Sequence, residues 1–119
     1  MFIRYKLKER KLHPISFELE RYFNGEKVDF SCELDLSHLS TFQQKVLRET
    51  QKIRYGSTIT YSELANRIGS SPRQVGRALA HNPFPIVIPC HRVIAKNSIG
   101  GYSSGTDIKV KLLELEALH

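Results

Sequence analysis

Tryptophan is absent from this chain, and its 119 residues include only one methionine and two cysteines. Two cysteines are too few for the disulfide framework of a short secreted scaffold, so Cys32 and Cys90 read as free thiols in a reducing compartment. No apolar run approaches the length of a bilayer span, and the opening Met1–Lys11 stretch is basic and has no apolar signal core. There is no internal repeat, low-complexity tract or proline-rich linker. The expectation is a soluble, cytoplasmic protein without membrane contact. Acidic residues are also scarce: 12 Asp and Glu stand against 18 Lys and Arg, a net charge of +6. The excess is concentrated, with nine basic and two acidic residues between Lys45 and Lys96. A basic stretch favours phosphate because neutralising it releases counterions, but charge alone fits a solvated basic face equally well. Hydrophobic residues at 40% and charged residues at 25% are ordinary for one folded domain with a small add-on.

Met1 to Leu7 alternates partly, as a strand does. Ile15 to Leu19 alternates again, although Phe17 to Phe23 also fits a short helix ended by Asn24-Gly25. Val28, Phe30, Cys32, Leu34 and Leu36 fall on one face of a strand, which makes Cys32 a small core residue. From Thr41 the spacing turns helical. Thr41 caps a helix with Phe42, Val46, Leu47 and Thr50 on one side, and Tyr55-Gly56 ends it. An extended Thr58-Ile59-Thr60 leads into a helix from Tyr61 to Ile68, capped by Thr60 or Ser62, with Leu64, Ala65 and Ile68 inward and Gly69 as its stop. Ser70-Ser71-Pro72 opens the next helix, to about His81. Helix, short turn, helix is the layout of a helix-turn-helix, and Arg73, Gln74 and Arg77 on the second helix suit a nucleic-acid surface; an ordinary helical hairpin would look the same. Ile86-Val87-Ile88 reads as a short buried strand that delivers Cys90. After a turn at Lys96-Asn97-Ser98 and a glycine-rich loop (residues 100–105), Thr106 or Asp107 caps a closing helix with Ile108, Leu112, Leu115 and Leu118 inward.

Cys90 is the residue with chemistry to offer. A thiol reacts as thiolate, so it needs a base or a positive neighbour. His91 and Arg92 adjoin it, and Glu116 on the last helix is an acid able to orient a histidine. Adjacent side chains on an extended chain point opposite ways, so the spacing is a weak signal, and composition alone favours a structural cysteine beside a hydrogen-bonded histidine. Metal-ligand spacing is missing: Cys90-His91 has no two-residue gap, and His13, His38, His81 and His119 are scattered.

The order of the pieces is more specific than any one of them. Tyr61 follows Gly56 to Thr60, Arg73 and Gly76 follow on the next helix, then Asn82-Pro83-Phe84-Pro85-Ile86-Val87-Ile88-Pro89-Cys90-His91-Arg92-Val93-Ile94, then Gly100-Gly101-Tyr102-Ser103-Ser104-Gly105. This closely resembles the O6-alkylguanine-DNA alkyltransferases, or methylated-DNA–protein-cysteine methyltransferases, whose hallmark is the Pro-Cys-His-Arg-Val run. The resemblance covers about Phe42 to Leu118, and more faintly Leu19 to Leu36. It implies that Cys90 accepts an alkyl group from O6 of guanine, that His91, through a water, and Glu116 generate its thiolate, and that Tyr61 donates to the departing base. It further implies that Arg73 enters the duplex in place of the flipped nucleotide and that Gln74 and Arg77 lie on the DNA face, with the recognition helix in the minor groove. Asn82 would tie the helix-turn-helix to the active-site turn, Tyr102 and Ser103 would close over the base, and the carbonyls of Cys90 and Val93 would accept its amino group.

The implied fold is α+β: a truncated α/β remnant over residues 1–40, and a mostly helical, winged-helix-like helix-turn-helix domain over residues 41–119. The implied partner is double-stranded DNA containing O6-alkylguanine, met by a monomer with no cofactor and no metal. Three departures from the family pattern stand out. The chain before Phe42 is short, the zinc ligands some members hold there have no counterpart, and Leu47 stands where an aromatic is usual. Two other readings compete: a lesion-binding protein without transfer, which would lack the cysteine, and a helix-turn-helix regulator, in which the proline-rich connector and the Tyr102-Ser103 loop would have no role.

Overall fold

Helices begin where the sequence supplies caps in the computed structural model, which describes residues 15–28, 30, 34–100 and 105–118. Helix α2 (Thr41–Gln51) is capped by Ser40, whose hydroxyl accepts the Gln43 N–H at 3.1 Å. Thr41, the expected cap, is instead its first helical residue. Helix α3 (Tyr61–Ile68) starts from a capping box, with Thr60 Oγ1 accepting the Glu63 N–H and Glu63 accepting the Thr60 N–H. It stops at Gly69, at φ +69°. Helix α4 (Pro72–Ala80) has Ser71 as its cap and Pro72 in its first turn, where a missing N–H costs nothing. Upstream, α1 (Ile15–Phe23) decides between the strand and helix readings in favour of helix. The strand expected over Met1–Leu7 lies outside the described residues, as does Cys32.

Between residues 28 and 36, Val28, Leu34 and Leu36 are buried as predicted, Phe30 is half-buried, and Leu34 lies in a β-bridge. Strands β1 (Ile59–Thr60) and β2 (Val93–Ile94) pair in parallel, Ile59 with Val93 and Thr60 with Ile94. This small sheet sets Tyr61, at the head of α3, against the chain that follows Cys90.

Two expectations are corrected. Ile86-Val87-Ile88 is buried but is a turn rather than a strand: Ile88 N–H reaches back to Phe84 O at 2.9 Å, and Ile86 sits at φ +77°. Prolines at 83 and 85 remove the donors an extended pairing would use. In helix α5 (Thr106–Leu118) Leu112 is buried and Ile108 and Leu115 pack half-buried as expected, but Lys109 and Glu116 are the other buried positions and Leu118 is 79% exposed. The two charged residues face inward because they find buried partners.

Leu36, Val46, Leu47, Leu64, Val75, Phe84, Ile88 and Val93 form the main core, on whose edge Cys90 lies. Phe42, expected inward on α2, is exposed. A second cluster joins Tyr22 of α1 and Val28 to Ile86 and Leu112, so the N-terminal segment packs directly behind the Cys90 turn.

Candidate active site

The turn that carries Cys90 is held from one side by Asn82. Its Nδ2 donates to Ile88 O at 3.0 Å and lies 3.2 Å from Cys90 Sγ, while its Oδ1 accepts the Phe84 N–H at 2.9 Å. Asn82 follows the end of α4, so one side chain couples that helix to the thiol. Cys90 opens a single 3₁₀ turn (Cys90–Arg92) and is 5% exposed.

The 3₁₀ turn solves the problem of adjacent side chains. His91 is fully buried and sends Nε2 to Glu116 Oε2 at 2.5 Å. Arg92 grips the same carboxylate with Nε on Oε1 at 2.8 Å and Nη2 on Oε2 at 3.0 Å, and its Nη1 donates to Ile53 O at 2.7 Å. Gly56 N–H and Tyr22 OH complete the set at 3.1 Å and 2.6 Å. Burial works to raise the Glu116 pKa, but the hydrogen bonds from His91, Arg92 and Tyr22 outweigh it and bring it down to about 2. Burial lowers the pKa of His91, against the pull of Glu116 and with the help of Arg92 and Lys109. A neutral His91 with its proton on Nε2 leaves Nδ1 as a basic lone pair, and Nδ1 is buried with no hydrogen-bond partner among the described residues.

Lys109 is the residue that sequence reasoning missed. It is fully buried, donates from Nζ to Val93 O at 2.7 Å and lies 5.6 Å from the centre of the Tyr61 ring. Burial lowers its pKa, and the electrostatic influence of Cys90 works in the opposite direction. Its only sequence signal was a lysine interrupting an amphipathic helix, which ordinarily marks a solvated face. Tyr61 is half-buried, with its hydroxyl pKa raised by burial and by the charge of Cys90. Its ring rests on Gly100, at φ +82°, where an added Cβ would stand 3.0 Å from Tyr61 Cε2. The glycine thus makes room for Tyr61 itself.

Arg73, Gln74 and Arg77 are exposed on α4, opposite the buried Val75, Ala78 and Leu79. The structure therefore brings Cys90, His91, Glu116, Tyr61, Asn82 and Val93 together and leaves the α4 side chains on an outer face. Tyr102 and Ser103 lie outside the described residues.

The arrangement supplies a buried thiol with a cation beside it, a basic imidazole nitrogen held by an ionised carboxylate, and a phenol donor: the parts of a nucleophilic displacement. A profile for 6-O-methylguanine DNA methyltransferase, DNA binding domain, matches residues 41–118. A methylated-DNA–protein-cysteine methyltransferase of Metallosphaera sedula is 44% identical over 83% of this chain, and the chain spans 64% of that protein. The Mycobacterium tuberculosis OGT, solved in complex with DNA, superposes with a TM-score of 0.83 at 43% identity, covering 87% of this chain and 66% of its own. S. pombe Atl1, solved with damaged DNA containing O6-carboxymethylguanine, superposes at 36% identity and a TM-score of 0.56, covering 66% of this chain and 77% of its own.

Proposed function

The chain belongs to the methylated-DNA–protein-cysteine methyltransferase family, and from that premise we propose that it repairs O6-alkylguanine in DNA by a single, irreversible transfer to Cys90. The thiolate sulfur attacks the alkyl carbon in line with the C–O bond. A C–S bond forms, the C–O bond breaks, and its electron pair leaves on the guanine oxygen. Guanine regains a proton from a donor in the site, for which Tyr61 is the candidate. The balance closes with thiol and lesion alone, so the reaction calls for no cofactor. The thioether is stable, and each protein molecule acts once.

The observation that carries this reading is the Cys90 turn, with its sulfur beside Asn82 and followed by a buried histidine that bonds Glu116 through Nε2 and keeps Nδ1 as a basic nitrogen. His91 Nδ1 takes the thiol proton through a water, and Glu116 stabilises the imidazolium that results. Lys109 favours the thiolate electrostatically. Val93 O has a second lone pair besides the one Lys109 uses, available to the guanine amino group.

The partner in this reading is double-stranded DNA carrying O6-alkylguanine, bound by a monomer in a reducing cytoplasm. The target atom is stacked inside the duplex, so the nucleotide must rotate out. Arg73, at the exposed start of α4, fills the space it leaves from the minor groove, with Gln74 and Arg77 on the flanking backbone. Tyr102 and Ser103 close over the base. Function divides the chain near residue 40: residues 41–119 hold the DNA face and the reacting groups, and residues 1–40 belong to an N-terminal unit that supports them.

The test is Cys90→Ala on a duplex with one O6-methylguanine. The variant should bind the duplex and leave its methyl group in place. Methyl loss from DNA with Cys90 gone would refute the mechanism. A protein that only holds lesions would instead leave the methyl count unchanged in the native form too.

A further inference from the structure

Glu116 receives one donor from outside the 41–118 region that the family profile matches: the hydroxyl of Tyr22, on α1. Tyr22 is fully buried and gives its proton to Oε2 at 2.6 Å, the oxygen that also takes His91 Nε2. Its oxygen is 3.5 Å from His91 Nε2 itself. The ring is fixed by edge contacts with Phe23 and Tyr55, at centroid distances of 5.5 and 6.0 Å, and by a tilted contact with Phe30 at 5.9 Å. This is a short, aimed, solvent-free hydrogen bond to the one acid in the relay.

We propose that Tyr22 is a positioning residue for the alkyl transfer, which shares Glu116 Oε2 with His91 and so keeps His91 neutral and ready to take the thiol proton. The inference rests on the transferase reading and adds a residue to it. A carboxylate oxygen has two lone pairs, and Oε2 meets three donors, from His91, Tyr22 and Arg92. Each donor drains charge from the oxygen, and less remains to stabilise an imidazolium. The other groups facing this pair act alongside: Arg92 and Lys109 disfavour a cation on His91, Tyr55 packs against Tyr22, and Cys90 precedes His91 in the same 3₁₀ turn. Without the phenol, Glu116 holds the His91 proton more tightly. The imidazole then protonates at higher pH, and a protonated His91 cannot accept from the thiol.

The experiment is the single-turnover rate of transfer from an O6-methylguanine duplex, measured from pH 5 to pH 9 on the full chain and on Tyr22→Phe. Removing one hydroxyl should move the acid limb upward by about half a pH unit or more, with a several-fold loss near pH 6 and a plateau at high pH within a few-fold of the native value. The imidazole titration of His91, followed by NMR in both proteins, should shift the same way. Replacing Tyr22 by site-specific 3-fluorotyrosine, a stronger donor, should shift both in the opposite direction. A residue that merely packs would lower the rate evenly at all pH values and leave the His91 titration alone, and that result would overturn the proposal. Absence of transfer by the native chain would instead sink the underlying activity, so the two failures are distinguishable.

Discussion

Asn82 Nδ2 lies 3.2 Å from Cys90 Sγ, so a residue just beyond the end of α4 also touches the nucleophile. The same amide holds Ile88 O and Phe84 N–H, which bonds it to both ends of the turn. Asn82→Ala should strip the Phe84 N–H of this acceptor and Ile88 O of one of its two donors, and cost about 1–3 kcal/mol of stability, read by urea unfolding. Asn82→Asp should be worse for chemistry than for folding. It sets a negative group beside the sulfur, so the thiol's titration, followed by alkylation with iodoacetamide, should move to higher pH.

Lys109→Met keeps the length and bulk of the side chain and removes the charge. The variant should fold with stability close to that of the native chain, because Met fills the same space and removes the cost of burying an ammonium, while Val93 O loses a donor. Transfer at neutral pH should fall by about 10- to 100-fold, since an opposite charge beside a thiol is worth roughly 1–2 pH units of its titration. Recovery of the rate at high pH would mark the effect as electrostatic. An unchanged rate at pH 7 would remove Lys109 from the site.

Ile86 reverses a usual order of substitutions. At φ +77° a β-branched residue is strained, yet its side chain is 1% exposed, packed with Tyr22, Val28 and Leu112. Ile86→Ala loses the packing, about 2–4 kcal/mol, and keeps the strain. Ile86→Gly loses the packing and relieves about 1–2 kcal/mol of strain. Thermal unfolding should therefore rank Gly above Ala at this position, whereas at Ile88, which has no positive φ, Ala should rank above Gly.

Acid should weaken the fold in two stages. His91 is held below its ordinary 6.5, so the unfolded chain binds the extra proton and stability declines as pH falls through 6.5. Glu116 titrates at about 2 when folded against 4.5 ordinarily, so its contribution is complete above pH 4.5 and is lost as pH falls from there towards 2. That contribution is on the order of 3 kcal/mol. Urea midpoints from pH 8 to pH 3 test this, and Glu116→Gln should flatten the lower stage.

Local chemistry made much of this legible in sequence. A cap at Thr60 or Ser62, the Ser71-Pro72 start and the Gly69 stop were readable because each is set by neighbours within a few residues. Cys90, His91 and Glu116 were readable from reactivity and from the Pro-Cys-His-Arg-Val run. Lys109 and Tyr22 were not, because their meaning comes from partners 16 and 94 residues away, and a lysine in an amphipathic helix reads as solvated until its carbonyl partner is known. The Ile86 turn was hidden for a related reason: an apolar triplet shows burial without showing backbone direction.

The central claim is that one alkyl group moves from O6 of guanine to one sulfur. The most direct test is intact mass of the full chain before and after a stoichiometric O6-methylguanine duplex, followed by peptide mapping. The account predicts a gain of one methyl mass, confined to the peptide holding Cys90, with an equal loss from the DNA and no further gain on adding fresh duplex. An unchanged protein mass beside demethylated DNA, or a methyl group on any other residue, would contradict it.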